Sequence, residues 1–334
     1  MNVGIVGFGY WGKNLVRNFF AFEGCTLQVV CEQNTALHSQ LAAQYPSVSI
    51  TSDFNDLLKH DSIDCIVIAT PVSTHYELTK LALQAGKHVL VEKPMTAAFN
   101  QAKELTQLAE KEQKVLMVDH TFLYTGAVRY IKQLIKQGGL GKINYIDSTR
   151  INLGLFQQDV NVLWDLAAHD LSICAYLLEK RPRSVQAIGV SHTDNAIENI
   201  AYLILKYDNN LIAHFNCSWV SPVKIRQMLI GGDKKMIVYN DTEPTEKVKI
   251  YDTGYEAKTD EERANLLVDY RTGDIQVPKV PMTEALSLLV QDFADAVKKG
   301  KKPDSDAQLG LEVVQILDAA QESIKHNSKV VCLQ

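Results

Sequence analysis

Val3-Gly4-Ile5-Val6-Gly7-Phe8-Gly9-Tyr10-Trp11-Gly12 lies near the start of the chain and decides its fold. Val3 to Val6 carries no charge and predicts a buried strand, while Trp11 to Phe20 has the amphipathic spacing of a helix. Three glycines mark the place where the strand turns directly into that helix. Gly7 permits the tight turn, Gly9 lets backbone approach a pyrophosphate, and Gly12 lets helix pack against strand while its first amides face the phosphates. A glycine turn without a ligand is the competing reading, and the residues that follow weigh against it.

The next strand, Leu27 to Cys31, ends in Glu32, about 20 residues beyond Gly12, where a carboxylate accepts the adenosine-ribose hydroxyls of a dinucleotide. Glu32 repels a 2′-phosphate, and Gln33 and Asn34 supply no cation for one. NAD is therefore the expected cofactor rather than NADP, with Gly7, Phe8, Gly9, Tyr10, Trp11, Gly12 and Glu32 as its contacts.

Outward from this motif, short apolar runs alternate with amphipathic ones, the pattern of parallel βαβ units. Cys65 to Ile68, His88 to Val91 and Val115 to Val118 read as further strands. Ala36 to Gln44, Tyr76 to Gln84 and Ala98 to Glu112 read as helices. The fold class is α/β: a doubly wound parallel sheet over residues 1–120, then a second α/β domain over 121–334. In the second domain a helix (Ala127 to Lys136) and a strand (Ile143 to Ile151) precede an apolar helix near Asp165 to Leu178. Ser184 to Ile250 is β-rich and broken by Asp208-Asn209-Asn210 and Gly231-Gly232-Asp233, which predicts a large, mainly antiparallel open sheet. Helices over Thr283 to Lys298 and Gln308 to His326 complete the chain.

A chain of 334 residues with 46% hydrophobic and 22% charged residues suits a two-domain globular protein. Its 34 basic and 39 acidic residues give a net charge of −5, which provides no overall attraction for nucleic acid or an anionic membrane. Six cysteines without a C-x-x-C pair point to a reducing compartment. No run reaches the ~18 apolar residues of a membrane span, and the first residues do not read as a signal peptide. Cytoplasmic location is expected.

Three segments carry the chemistry. Ala69-Thr70-Pro71-Val72-Ser73-Thr74-His75 and Glu92-Lys93-Pro94 fall at the carboxyl ends of parallel strands, where ligands of open α/β sheets sit. Further on, Asp165, His169, Ser172 and Tyr176 recur at helical spacing and form one polar stripe on an otherwise apolar helix. A solvated stripe normally carries Lys and Glu, and this one carries neither. Oxidising an alcohol requires a base for the hydroxyl proton, a role that suits His169 oriented by Asp165, with Lys93 sharing the proton or polarising the oxygen. A zinc site at Asp165, His169 and Asp170 fails, because Asp170 points about 100° away and leaves two ligands.

These motifs resemble, along essentially the whole chain, the family of glucose-fructose oxidoreductase and inositol dehydrogenase (Gfo/Idh/MocA). The resemblance implies that Lys93, Asp165 and His169 form the catalytic group. Thr70, Pro71, His75, Glu92 and Lys93 join the cofactor contacts. It also implies a cis bond before Pro94 and an open sheet that mediates homo-oligomerisation, as dimer or tetramer. Tyr10 to Asn14, Val118 to Tyr124, Arg150 to Phe156 and Ser218 to Lys224 resemble a branch of nucleotide-sugar dehydrogenases. Two departures stand out: Thr121 and Leu123 replace the Asn and Arg of many relatives, and Asn161-Val162 replaces glycines ahead of the Asp165 helix.

The expected activity is NAD-dependent oxidation of a sugar ring hydroxyl to a ketone, on a UDP-N-acetylglucosamine-type substrate at C3. Lys13, Arg150, Asn152, Asp165 and His169 are the expected substrate contacts. Three alternatives remain: an inositol or free-sugar dehydrogenase, a glycosidase using NAD for transient oxidation, and a non-catalytic NAD-binding regulator.

Overall fold

The computed structural model describes residues 1–154, 156–157, 160–194, 196–256, 269–271 and 273–333. Its backbone divides into two compact units: Met1–Tyr124 with Thr283–Gln315, and Thr125–Met282 with Ile316–Gln334.

Six parallel strands form the sheet of the first unit: β1 (Asn2–Val6), β2 (Thr26–Cys31), β3 (Ser49–Thr51), β4 (Cys65–Ile68), β5 (His88–Glu92) and β6 (Leu116–Asp119). Their order, β3-β2-β1-β4-β5-β6, is that of a doubly wound dinucleotide-binding sheet. Every residue of β4 and β6 is buried, as expected of parallel strands covered on both faces. The connecting helices are α1 (Gly12–Ala21), α2 (His38–Gln44), α3 (Phe54–Lys59), α4 (Val72–Gln84) and α5 (Phe99–Lys111). β3 and α3 escape a periodicity reading because they are short. Asp53 starts α3 by accepting the Asn55 amide at 2.9 Å.

A single boundary at residue 120 does not describe the return of Thr283–Gln315 to this unit. Helix α8 (Ala285–Lys299) packs Phe293 edge-on against Phe19 of α1, with ring centroids 6.3 Å apart. Buried Asp292 on the same helix accepts the Tyr124 hydroxyl at 2.9 Å. Ser305 then bonds the backbone of Val118 through its carbonyl and its hydroxyl, so the returning segment lies along β6.

The second unit holds a nine-stranded sheet that runs, edge to edge, through Ile275–Gln276, Val248–Tyr251, Met236–Asn240, Val220–Gly232, Ile143–Leu153, Ile212–Ser218, Ile200–Lys206, Ser184–Val190 and Val331–Cys332. Its central strands are β7 (Ile143–Leu153), β8 (Ser184–Val190), β9 (Ile200–Lys206), β10 (Ile212–Ser218) and β11 (Val220–Gly232). Only the β7–β10 pair among the described strands of this sheet is parallel. Alternation along β7 to β10 sends Ile146, Ala187, Leu203 and Phe215 into the core. Tyr145, Ile188, Tyr202 and Ile212, by contrast, are at least one-third exposed on the opposite face. Helices α6 (Gly126–Lys136) and α7 (Ala168–Leu178) belong to this unit. Lys132 of α6 donates to the Tyr176 carbonyl and pairs with Glu179, placing a cation at the end of α7 where the helix dipole favours it.

The strongest buried electrostatic contact of this unit is Arg150 with Asp170. Guanidinium Nε and Nη2 donate to both carboxylate oxygens at 2.8 and 2.7 Å, with side chains 3% and 6% exposed. Burial by itself would lower the guanidinium pKa; the Asp170 charge and hydrogen bonds reverse this and raise it. Removing one partner strands the other, so Arg150→Met is predicted to cost ~3–5 kcal/mol of unfolding free energy. The double change Arg150→Met/Asp170→Leu should recover most of that loss. Urea unfolding checks both; an Arg150→Met midpoint equal to wild type would contradict the assignment.

Candidate active site

The first group of site residues gathers at the carboxyl ends of β1, β2, β4, β5 and β6. Gly7 has φ +94°, and a Cβ there would sit 2.4 Å from the Ala69 carbonyl oxygen. A Cβ on Gly12 would stand 2.3 Å from the Gly7 oxygen, so α1 approaches β1 closer than any side chain permits. Gly9 differs, because a Cβ there meets nothing within 4 Å. Its open side is the approach a pyrophosphate needs, and the Trp11 side chain at the start of α1 makes no capping bond to the helix. Glu32 is half-buried and accepts the Phe8 amide at 2.6 Å and the Asn34 amide at 2.7 Å. These two bonds aim the carboxylate beside the turn. Open backbone at Gly9 and an oriented acid beside the turn fit a dinucleotide.

The aromatic residues of the turn divide their work. Phe8 is fully buried and packs edge-on against Tyr45, so it contributes core and a backbone amide. Tyr10 is 90% exposed and stacks on Trp11. The Trp11 indole donates to Asp119 Oδ2 at 3.0 Å, tying the glycine turn to the end of β6. Lys13 stands over the Phe8 ring and reaches Gln40 Oε1 at 3.4 Å, on the Glu32 side of the turn.

At β4 and β5 two expected cofactor contacts, His75 and Glu92, are buried and bonded to protein groups. His75 is 1% exposed, with Nδ1 at 2.9 Å from the Pro94 oxygen and Nε2 at 2.8 Å from the Thr70 oxygen. Its ring thus straps the Thr70-Pro71 loop to the loop carrying Lys93, and the Lys93–Pro94 bond is cis. Burial lowers the imidazole pKa, while the two carbonyls pull it upward. Glu92 is likewise buried, its Oε2 accepting the Lys93 amide at 3.1 Å. Opposite it in the ladder lies buried Asp119. Burial, then the neighbouring Asp119, raises the Glu92 pKa well above the glutamate range. Both residues support the site from inside the protein.

The sequence reading did not single out His120. This residue follows β6, is 1% exposed, and neither ring nitrogen has a hydrogen-bond partner among the described residues. Burial, with the Lys93 charge adding to it, pushes its pKa down to about 3 and keeps the imidazole neutral.

The second group lies in the other unit, on the helix expected near Asp165. Its first turn, Leu163–Ala167, is π-helical and continues into α7. Asn161 Oδ1 caps it, accepting the Leu163 amide at 3.0 Å and the Trp164 amide at 3.3 Å. Asn161 Nδ2 is held in turn by Glu198 and Gln321. Where many relatives have glycine, this chain therefore has a built cap. Between Asn161 and Leu178, Asp165, His169 and Tyr176 alone are partly exposed, and Ser172 turns inward to bond the His169 carbonyl at 2.7 Å. The stripe is thus the one open line on a buried helix, not a solvated face. The Trp219 indole donates to Asp165 Oδ2 at 3.0 Å.

Arg150 and Asn152 fare differently. Arg150, an expected substrate contact, is paired with Asp170. Asn152 remains half-buried at the end of β7 beside Gly154 and Trp219. Leu155 of the same stretch lies outside the described residues. Among the described residues no group of three or more His, Cys, Asp or Glu is placed to hold a metal ion. None of the described helices is long and apolar enough to cross a membrane.

Known proteins identify the family of this chain. The family model described as "Oxidoreductase family, NAD-binding Rossmann fold" matches residues 1–120, and "Oxidoreductase family, C-terminal alpha/beta domain" matches residues 132–333. The scyllo-inositol 2-dehydrogenase (NADP(+)) IolW of Bacillus subtilis (strain 168) is 24% identical over 99% of this chain and 96% of its own. The UDP-N-acetylglucosamine 3-dehydrogenase of Acidithiobacillus ferrooxidans is 30% identical over 69% of this chain and 71% of its own. The solved structure of UDP-N-acetylglucosamine 3-dehydrogenase GnnA from Acidithiobacillus ferrooxidans has a TM-score of 0.83 at 23% identity, covering 98% of this chain and 99% of that one. GenD2 from gentamicin A biosynthesis, in complex with NAD, has a TM-score of 0.83 at 20% identity, covering 100% and 96%. At those identities the two structures speak to the fold alone. Matched across both of its halves, this chain belongs to the Gfo/Idh/MocA family and is an NAD(P)-dependent oxidoreductase.

Proposed function

We propose that the enzyme uses NAD to oxidise a sugar ring hydroxyl to a ketone, the sugar being nucleotide-linked and of the UDP-N-acetylglucosamine type, oxidised at C3. The observation that carries the substrate reading is the 30% identity to a UDP-N-acetylglucosamine 3-dehydrogenase over more than two-thirds of the chain. A second reading, an inositol or free-sugar dehydrogenase, is supported by the 24% identity to a scyllo-inositol 2-dehydrogenase over 99% of the chain. For the cofactor, the Glu32 carboxylate beside the turn favours a free ribose diol over a 2′-phosphate.

Removing two hydrogens from a carbinol releases a hydride from carbon and a proton from oxygen. Bound nicotinamide supplies the hydride acceptor. The proton goes to His169, which lies on the partly exposed stripe with Asp165, and Lys93 polarises the same oxygen. His75 and Glu92 hold the Lys93 loop from behind. Asn152, on the strand beside the Trp219 that grips Asp165, is retained as a substrate contact, and Lys13 as a weaker one.

The open sheet face is proposed as the surface of a homo-oligomer. Ile188 stands opposite Tyr202 and Ile212 opposite Tyr145, giving two exposed apolar pairs on this face, with Tyr202 opposite Asn216 and Ile212 opposite Lys206 between them. Six free cysteines support the cytoplasmic expectation.

Gly9→Ala should fold with stability within ~0.5 kcal/mol of wild type, because its methyl meets no atom of the turn. Its NADH affinity should fall by roughly tenfold or more as the methyl fills the pyrophosphate approach. Calorimetric titration of NADH decides, and unchanged affinity would sink the cradle assignment. Turnover with UDP-N-acetylglucosamine should exceed that with myo-inositol, and His169→Ala should lower kcat by about 10²–10⁴-fold. Activity on inositol alone overturns the substrate, while an unimpaired His169→Ala overturns the base. By light scattering the wild type should appear as a multiple of 37.3 kDa and Tyr202→Asp as a smaller species; a monomeric wild type refutes the oligomer.

A further inference from the structure

Trp219 sits at the single-residue break between β10 and β11 and is 1% exposed. Its backbone is fixed on both sides: the amide donates to the Asn199 carbonyl at 2.9 Å, and the carbonyl accepts the Gly154 amide at 2.9 Å. Its ring is fixed as well. Phe156 packs on it with centroids 5.8 Å apart and planes inclined by 30°. A Cβ on Gly154 would stand 2.9 Å from indole Cδ1, so the ring lies directly on that backbone. From this seat Nε1 reaches Asp165 Oδ2 at 3.0 Å.

Asp165 meets the indole from an unusual turn. Leu163–Ala167 is π-helical, a geometry that re-aims a side chain and recurs at functional sites. Asn161 caps that turn from within the protein. Just beyond Trp219, β11 bulges: Val220 pairs with Leu153, yet the next pair is Ile225 with Ile151. Cap, π-turn and bulge converge on one charge-assisted hydrogen bond between side chains 54 residues apart.

We propose that Trp219 is the positioning residue for Asp165, fixing the direction of its carboxylate and linking it to the substrate-side segment at Gly154 and Phe156. This rests on the reading of Asp165 as catalytic. A core tryptophan serving only to fill space would be replaced by phenylalanine with loss of packing alone. Here the loss concerns one N–H.

Trp219→Phe, assayed as the full chain with NAD and UDP-N-acetylglucosamine and with myo-inositol, keeps the aromatic contact with Phe156 and removes the donor. On the accepted substrate kcat should fall by about 10- to 100-fold while KM stays within about twofold, the split expected when reacting geometry rather than binding is lost. A second readout needs no substrate. In protein labelled with ¹⁵N-tryptophan the chain's three tryptophans give three indole N–H signals. Trp219→Phe, or Trp11→Phe and Trp164→Phe by elimination should it fail to fold, assigns the Trp219 signal. Asp165→Asn should move that signal upfield, as expected when a carboxylate acceptor becomes a neutral amide. An unmoved Trp219 signal, or wild-type kcat in Trp219→Phe when Asp165→Asn is inactive, overturns the positioning role alone. Full turnover by Asp165→Asn overturns the catalytic reading and this role with it.

Discussion

The dinucleotide end of the first unit depends on one close approach, that of the Gly12 backbone to the Gly7 carbonyl. At 2.3 Å from that oxygen a Cβ is impossible, so only glycine lets α1 begin where it does, with its amides facing outward from the end of β1. Around this contact the strand ends are cross-tied. Glu32 holds the Phe8 amide, the Trp11 indole holds Asp119, and His75 bridges Thr70 and Pro94. Each tie joins two loops that a parallel sheet leaves otherwise independent.

Burial sorts the polar residues of the second unit. On the helix from Asn161 to Leu178 almost every position is covered, and each polar group has found a stated use there. Asp170 holds Arg150, Ser172 bonds its own helix, and Asn161 caps the first turn. Asp165 and His169 are left on the open line. There Asp165 accepts the Trp219 indole N–H, so its carboxylate is both partly exposed and held in direction.

Burial also covers three residues of the first and second units that the sequence pointed to. His75, Glu92 and Arg150 sit within motifs that suggest direct contact, yet all three are buried and engaged with protein groups. His120, by contrast, is buried with a neutral imidazole near Lys93 and with no hydrogen-bond partner among the described residues.

Much of this protein was legible in the sequence, because much of it is local. Apolar period, turn residues and the Gly7-Gly9-Gly12 spacing act over a few neighbours, and they marked β1, β2, β4, β5, β6 and the helices α1, α2, α4 and α5 within a few residues of their ends. Glu32 was legible because a βαβ unit has a fixed length. Other contacts were not, because sheet register brings distant residues together: Trp11 with Asp119 across 108 positions, Trp219 with Asp165 across 54, and the return of α8 to the first unit. No local pattern encodes such pairings. The sequence determined that a dinucleotide turn and a polar stripe exist; only the tertiary structure decided which polar side chains remain available to act, because burial and partnership depend on what the rest of the chain places beside them.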